Sequence, residues 1–145
     1  MKKWLLLTFL VSLNVSIQAQ DQIIGQWHNA EKSSIVRVYK ATNGKYYGKI
    51  AWLEEDFNAD GSTPRVDELN PDEGRQNTPL LNLIILKGLE YNEAEKQWQN
   101  GTIYDPENGK TYECYCELNA DGSLYFKGYV LGITWLGRST TWTRP

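Results

Sequence analysis

The residues of this chain best able to do chemistry collect in one polar stretch, Glu54 to Pro79. Asp56, Asn58, Asp60, Gly61, Ser62 and Asp67 lie within it. Counted from Asp56, oxygen-bearing side chains stand at the first, third, fifth and twelfth positions with glycine at the sixth, the order of a calcium-binding loop. Against that order, the twelfth position is Asp where Glu is usual, Pro64 interrupts the loop, and no flanking helices can be read. Asn-Ala-Asp-Gly also recurs at 119–122 between two strand-like runs, as a turn. Asp56, Asn58, Asp60 and Asp67 are therefore a weak calcium candidate, and an ordinary polar loop is the competing reading.

Asp67, Asn70, Pro71, Asp72 and Arg75 form a second cluster. Two carboxylates with different environments can divide acid and base roles between them, provided both face one cleft. The other reading is a loop-locking network in which Arg75 pairs with Asp67 or Asp72, Asn-Pro and Asp being turn initiators. The single histidine, His28, has neither a nucleophile elbow nor metal-ligand spacing around it, so no catalytic residue is assigned. Cys114 and Cys116 are two apart, on one face of a strand, with Cα atoms about 6.6 Å apart. That is near the limit for a disulfide, so two buried thiols compete with a strained bond or a metal pair.

These residues need a scaffold, and short strands supply it. Runs rich in Tyr, Trp, Val and Ile span Ile23–His28, Ser33–Lys40, Lys45–Leu53, Leu80–Leu89, Gln97–Tyr104, Lys110–Leu118, Ser123–Leu131 and Thr134–Arg144. Gly, Asn and Asp separate them, with Asn-Gly after Thr42 as a hairpin signal. Tyr112, Cys114, Cys116 and Leu118 alternate with Thr111, Glu113 and Glu117, so one face of the strand is apolar. About eight such strands with tight turns predict an all-β fold: an antiparallel, up-and-down, lipocalin-like barrel with one long polar loop at 54–79.

In such a barrel the first and last strands are neighbours. Trp27, in Gly25-Gln26-Trp27, can then lie under Arg144 and close one end by cation–π stacking. Tyr46, Trp52, Trp98, Tyr104, Tyr112, Phe126 and Trp135 are spread over most strands. They are candidates either to fill the lumen or to line a site for one small ligand.

The first twenty residues read as a signal peptide: Lys2-Lys3, an apolar run from Trp4 to Leu13, and Ala19 near a cleavage point. The run is short for a membrane span, and no later segment is as apolar. The expectation is a single domain over 21–145, exported to the periplasm or outside the cell. Without Lys2 and Lys3 the formal net charge falls from −3 to −5. An acidic chain with no basic run argues against nucleic acid as a partner.

Taken in order along the chain, the motifs resemble a bacterial family called domain of unknown function 2147. They are Gly25-Gln26-Trp27, Tyr47-Gly48-Lys49-Ile50-Ala51-Trp52-Leu53, Asp67, Asn70-Pro71-Asp72, Arg75, Ile103-Tyr104-Asp105-Pro106, Gly128-Tyr129, Leu136-Gly137-Arg138, Trp142 and Arg144. The resemblance implies a calycin-like fold and export, and it adds no reaction. A cysteine pair often found around the family's second and third strands is missing between Arg37 and Gly48, and Leu81-Asn82-Leu83 replaces a usual glycine. The leading expectation is a barrel holding a small apolar or amphipathic ligand, with no cofactor. The alternatives are a packed structural or interaction protein of the cell envelope and, behind both, a carboxylate-dependent enzyme using Asp67, Asp72 and Arg75.

Overall fold

Tight turns between strand-forming runs favour pairing each run with the next. The computed structural model has that arrangement: one eight-stranded antiparallel sheet in the order β1-β2-β3-β4-β5-β6-β7-β8. It describes residues 18–130 and 133–145, with backbone alone at 133–136. The strands are β1 Gly25–His28, β2 Ser34–Lys40, β3 Tyr46–Leu53, β4 Ile84–Asn92, β5 Gln97–Asp105, β6 Lys110–Leu118, β7 Leu124–Val130 and β8 Ile133–Trp142. Two 3-10 turns, Ala19–Asp21 and Glu73–Arg75, complete the regular structure. Residues 1–17, where the signal peptide is expected, lie outside the described residues.

The sheet curls until its ends meet at a single bridge, not a full ladder. His28 and Thr143 exchange backbone hydrogen bonds of 2.7 and 3.1 Å. Arg144 lies across this seam with its guanidinium carbon 3.7 Å from the centroid of the Trp27 ring. It donates to the carbonyls of Gln22 at 2.7 Å and Ile24 at 3.2 Å. Gly25 permits the approach: its φ is +127°, and a Cβ there would stand 2.5 Å from Arg144 Nη1.

Alternation along the strands builds one core from Trp27, Val36, Val38, Tyr46, Ile50, Leu86, Leu89, Trp98, Cys114, Cys116, Leu124, Phe126 and Trp142. Both cysteines are free and buried. Burial alone raises the Cys114 thiol to about 12, so it stays neutral and serves as a small apolar side chain.

A meander puts alternate connections at opposite ends. The connections after β2, β4 and β6 share one end with residues 18–22, here called the closed end. The polar atoms of three large rings there find partners in residues 20–23. Trp98 Nε1 donates to Gln20 O at 2.9 Å, and Trp27 Nε1 to Ile23 O at 2.8 Å. The Tyr46 hydroxyl donates to Asp21 at 2.7 Å. The connections after β1, β3, β5 and β7 leave from the other, open end, so the long loop belongs to it.

Two departures from the strands expected of the sequence bear on the site. Val36 pairs with Ile50 but Ile35 with Trp52, so a β-bulge skips Ala51. The bulge moves Trp52 from the inward series of Ile50 to the outward series of Ile35. Trp52 is 42% exposed and meets His28 edge-on at 6.0 Å, so it is not a lumen residue. In addition, β4 begins at Ile84 rather than Leu80. Asn82 has a φ of +70°, and it and Leu83 bond to the backbone of Ile50, which makes Leu80–Leu83 the foot of the long loop.

Candidate functional site

The long loop divides into two parts of different character. The second part is a closed lobe. Val66 and Pro79 form a bridge at its neck, Asp67 N–H donates to Thr78 O at 2.9 Å, and Leu80 N–H donates to Arg65 O at 3.0 Å. Inside it Asp72 caps the Glu73–Arg75 turn by accepting from Gly74 N–H at 3.0 Å. Asn70 Oδ1 accepts from Asp72 N–H at 2.9 Å, and Gln76 Nε2 donates to Asn70 O at 2.9 Å.

Asp67 ties this lobe to the barrel. Its carboxylate is wholly buried, at 0% exposure. It accepts from Tyr104 Oη at 2.6 Å on one oxygen and from Asn70 Nδ2 at 2.7 Å on the other. Burial, followed by the bond to Asp67, raises the Tyr104 hydroxyl to about 12 and keeps it a donor. The lobe also rests on the β5–β6 turn. A Cβ at Gly109, where φ is +70°, would stand 2.0 Å from Leu69 O, so only glycine lets the two backbones meet.

This geometry corrects two expectations. Arg75 pairs with neither Asp67 nor Asp72. Its side chain is exposed, and neutral donors take the place of a cation at Asp67. The calcium pattern is not assembled either. Asp60 is spent on its own turn, accepting from the N–H groups of Ser62 and Thr63 at 2.9 and 2.8 Å and from the Thr63 hydroxyl. Asp67 is sealed inside the lobe seven residues further on. Among the described residues no group of three or more His, Cys, Asp or Glu could hold a metal ion. A sealed Asp67 also cannot meet a substrate, so this cluster locks the loop.

The first part of the loop is an open arm. Phe57 bridges Pro64, and Arg65 Nη1 donates to Glu55 O at 3.2 Å. A shallow depression of about 490 Å³ runs along Glu54, Asp56, Phe57 and Gly61. A second, of about 220 Å³, lies on the β5–β6–β7 face at Asn100, Gly101, Thr102, Glu113 and Tyr129. Neither is lined by the interior aromatics.

The aromatic candidates divide by depth. Tyr46, Trp98 and Phe126 are 1%, 2% and 2% exposed and belong to the packed interior. Phe126 packs on Trp142 with ring centroids 4.1 Å apart. Tyr104 is the lobe anchor. Tyr112 is half-buried, paired across the strands with Ile103, and its hydroxyl accepts from Asn108 Nδ2 at 3.1 Å on the open-end turn. The side chain of Trp135 lies outside the described residues.

Gly128 stands next to this pair. A Cβ built there meets nothing closer than Tyr112 Cβ at 3.7 Å, Ile103 Cγ2 at 3.8 Å and Arg138 O at 3.9 Å. Burial thus falls from the closed end toward Ile103, Tyr112 and Gly128, which are in contact but only half-buried. In the sequence Ile103 and Gly128 stand out only as members of the family motifs. Cross-strand register is what brings them together.

No curated protein matches the chain. Among solved structures, it is similar to a protein from the human pathogen Helicobacter pylori described as belonging to the lipocalin family. The TM-score is 0.71 at 27% sequence identity, over 85% of this chain and 82% of that one. Residues 25–144 match the family described as uncharacterized protein conserved in bacteria (DUF2147). That match runs from Gly25, against which Arg144 packs, to Arg144 itself, and the chain belongs to this bacterial family, with a lipocalin-like fold.

Proposed function

We propose that the protein is an exported carrier or sensor that binds one small apolar or amphipathic molecule at the open end of its barrel, without catalysis. The observation that carries this reading is the gradient of burial. Trp27, Trp98, Phe126 and Trp142 are at most 4% exposed, while Ile103, Tyr112 and Gly128, which lie together at the open end, are only half-buried. Small barrels of this architecture hold one ligand at such a mouth. Because the deeper rings pack against one another, the site is shallow. The ligand's apolar part rests on Ile103 and Tyr112, and its polar part stays near the turns. Tyr46, Trp98 and Phe126 act as the floor and not as contacts.

A second reading has its own support. Trp52, Phe57, Leu69, Ile84 and Val130 are exposed apolar side chains on or beside open-end connections. A protein partner in the cell envelope would cover them.

Native mass spectrometry of full-length protein purified from its own host separates the two. Binding predicts a co-purifying lipid-sized mass that Gly128→Leu abolishes, since a Cβ there makes only ordinary contacts and the rest of the leucine covers the surface between Ile103 and Tyr112 on which the ligand would rest. An unliganded mass in both proteins, with no enhanced fluorescence of an anilinonaphthalene probe, rejects the binding reading and favours the partner.

A further inference from the structure

The smaller depression lies on the outward face of the sheet, away from the proposed mouth. The pairings Lys87↔Thr102, Thr102↔Glu113 and Glu113↔Tyr129 set four side chains in one row across β4, β5, β6 and β7. Three members of the row, Thr102, Glu113 and Tyr129, line the depression of about 220 Å³ together with Asn100 and Gly101. Adjacent strands are about 4.8 Å apart, so Thr102 to Tyr129 spans roughly 10 Å, the width of one or two sugar rings.

The hollow has a backbone cause. Trp98 pairs with Cys116 and Gly101 with Cys114, so Gln99 and Asn100 hold one residue too many for the ladder. Asn100 sits in the bulge with φ +61°, a conformation uncommon for a residue with a side chain. Its Nδ2 donates to Glu90 at 3.3 Å. Bulges and strained residues of this kind gather beside binding sites. The neighbouring surface is aromatic: Tyr115 lies 6.4 Å from both Tyr129 and Tyr125, ring centroid to centroid.

We propose that this hollow is a carbohydrate site, holding one sugar ring of a free saccharide or of a glycan chain. The lining offers one carboxylate that only accepts, a hydroxyl and an amide that both donate and accept, and an aromatic face. The complementary ligand is a ring with an apolar C–H face for Tyr129 and adjacent hydroxyls that donate to Glu113 and exchange bonds with Thr102 and Asn100. A carboxylate has about four acceptor positions, so Glu113 can keep other contacts while it accepts these. The volume suits a single ring and is smaller than the sites that enclose drug-sized apolar molecules. Tyr115 and Tyr125 extend the platform, which favours a chain over a lone sugar. A small cation is the contrasting ligand for a carboxylate beside tyrosines, but Lys127, opposite Tyr115 in the ladder, and Lys87 bring like charge to the same face.

The test is an amide NMR titration of the full chain with glucose, N-acetylglucosamine and a linear tetramer of each, with choline chloride as the cationic comparison. The proposal predicts saturable shifts at Gly101, Thr102, Glu113 and Tyr129 at millimolar sugar, with the tetramer binding tighter if a glycan chain is the ligand and equally if a free sugar is. Tyr129→Ala should weaken binding at least about tenfold, whereas Tyr129→Phe should stay within a few-fold because it keeps the ring. Unchanged shifts for the Trp27 and Leu124 amides, buried and remote from Tyr129 along the strands, certify that both variants fold. No sugar response in the wild-type chain, a response to choline alone, or undiminished sugar binding by a folded Tyr129→Ala would each overturn the proposal. Binding of the apolar probe at the mouth should be untouched in these variants, so the two sites stand or fall separately.

Discussion

At the closed end of the barrel, aromatic rings fill the interior, and the polar atoms of Trp27, Trp98 and Tyr46 bond to the chain that enters there. At the open end, a polar lobe is held down by one buried carboxylate, and Ile103, Tyr112 and Gly128 are only half-buried. The first end is stabilised by burying area, a contribution spread over many contacts. The second depends on one or two hydrogen bonds to a charged group. Such bonds are individually strong, and losing them leaves buried groups without partners. The packed end therefore carries most of the stability of the fold, and the latched end depends on few groups.

The largest effect expected from this contrast is at Trp27. Trp27→Ala should cost about 3–5 kcal/mol in urea unfolding, because the ring is wholly buried and Arg144 loses the face it packs on. Trp52→Ala, on the outer surface, should cost about 1 kcal/mol. Similar costs for the two would mean that the bulge does not separate inside from outside as described.

A smaller effect belongs to the latch. Tyr104→Phe removes one donor from a buried carboxylate and should cost about 1.5–3 kcal/mol. Faster hydrogen exchange at Asp67 and Leu80 and protease cleavage within 66–79 should accompany the loss, with the closed end unchanged. A lobe that stays protected in this variant would contradict the latch.

Smaller again are the responses to pH, which differ in sign at the two ends. The Tyr104 pKa is raised from 10.0 to about 12. Its contribution is complete below pH 10 and is lost as pH rises toward about 12, so alkali should free the lobe first. Asp21 is held below its ordinary 3.8, mainly by the Tyr46 hydroxyl and then by Lys40. Its contribution is present above that value and is lost as pH falls through the lowered pKa, so acid should loosen the closed end. Amide exchange read at Asp67 and at Gln22 across both ranges checks the assignment.

The smallest change is expected at the open arm. Asp60→Ala should alter stability by no more than about 0.5 kcal/mol, since its turn is exposed. Calcium should leave the melting temperature of the wild-type chain unmoved.

Much of this is legible in the sequence. Asn-Gly and Asp-Gly turns, alternating apolar positions and Gly-x-Trp with a terminal Arg describe a barrel whose ends meet, because each signal is local or belongs to a chain end. The loop cluster was legible as a set of residues but not as a set of bonds. Asp67 and Tyr104 were both singled out, yet assigned to different roles, and 37 residues separate them. The partner expected for Asp67 or Asp72 is the nearby Arg75, but a charged side chain loses less hydration by staying exposed, and the neutral donors of Tyr104 and Asn70 already occupy both Asp67 oxygens.

By itself, then, the sequence determined the strands, their order, the long connection and the inward rings, since a period of two residues and the chemistry of turns act over short distances. Tertiary structure alone decided that Trp52 faces outward, that Tyr104 holds Asp67, and that Thr102, Glu113 and Tyr129 share a row. One extra residue in a strand reverses every side chain beyond it, and a row across three strands depends on register summed over all of them. Register is set by packing the whole barrel at once, which is why no single segment encodes it.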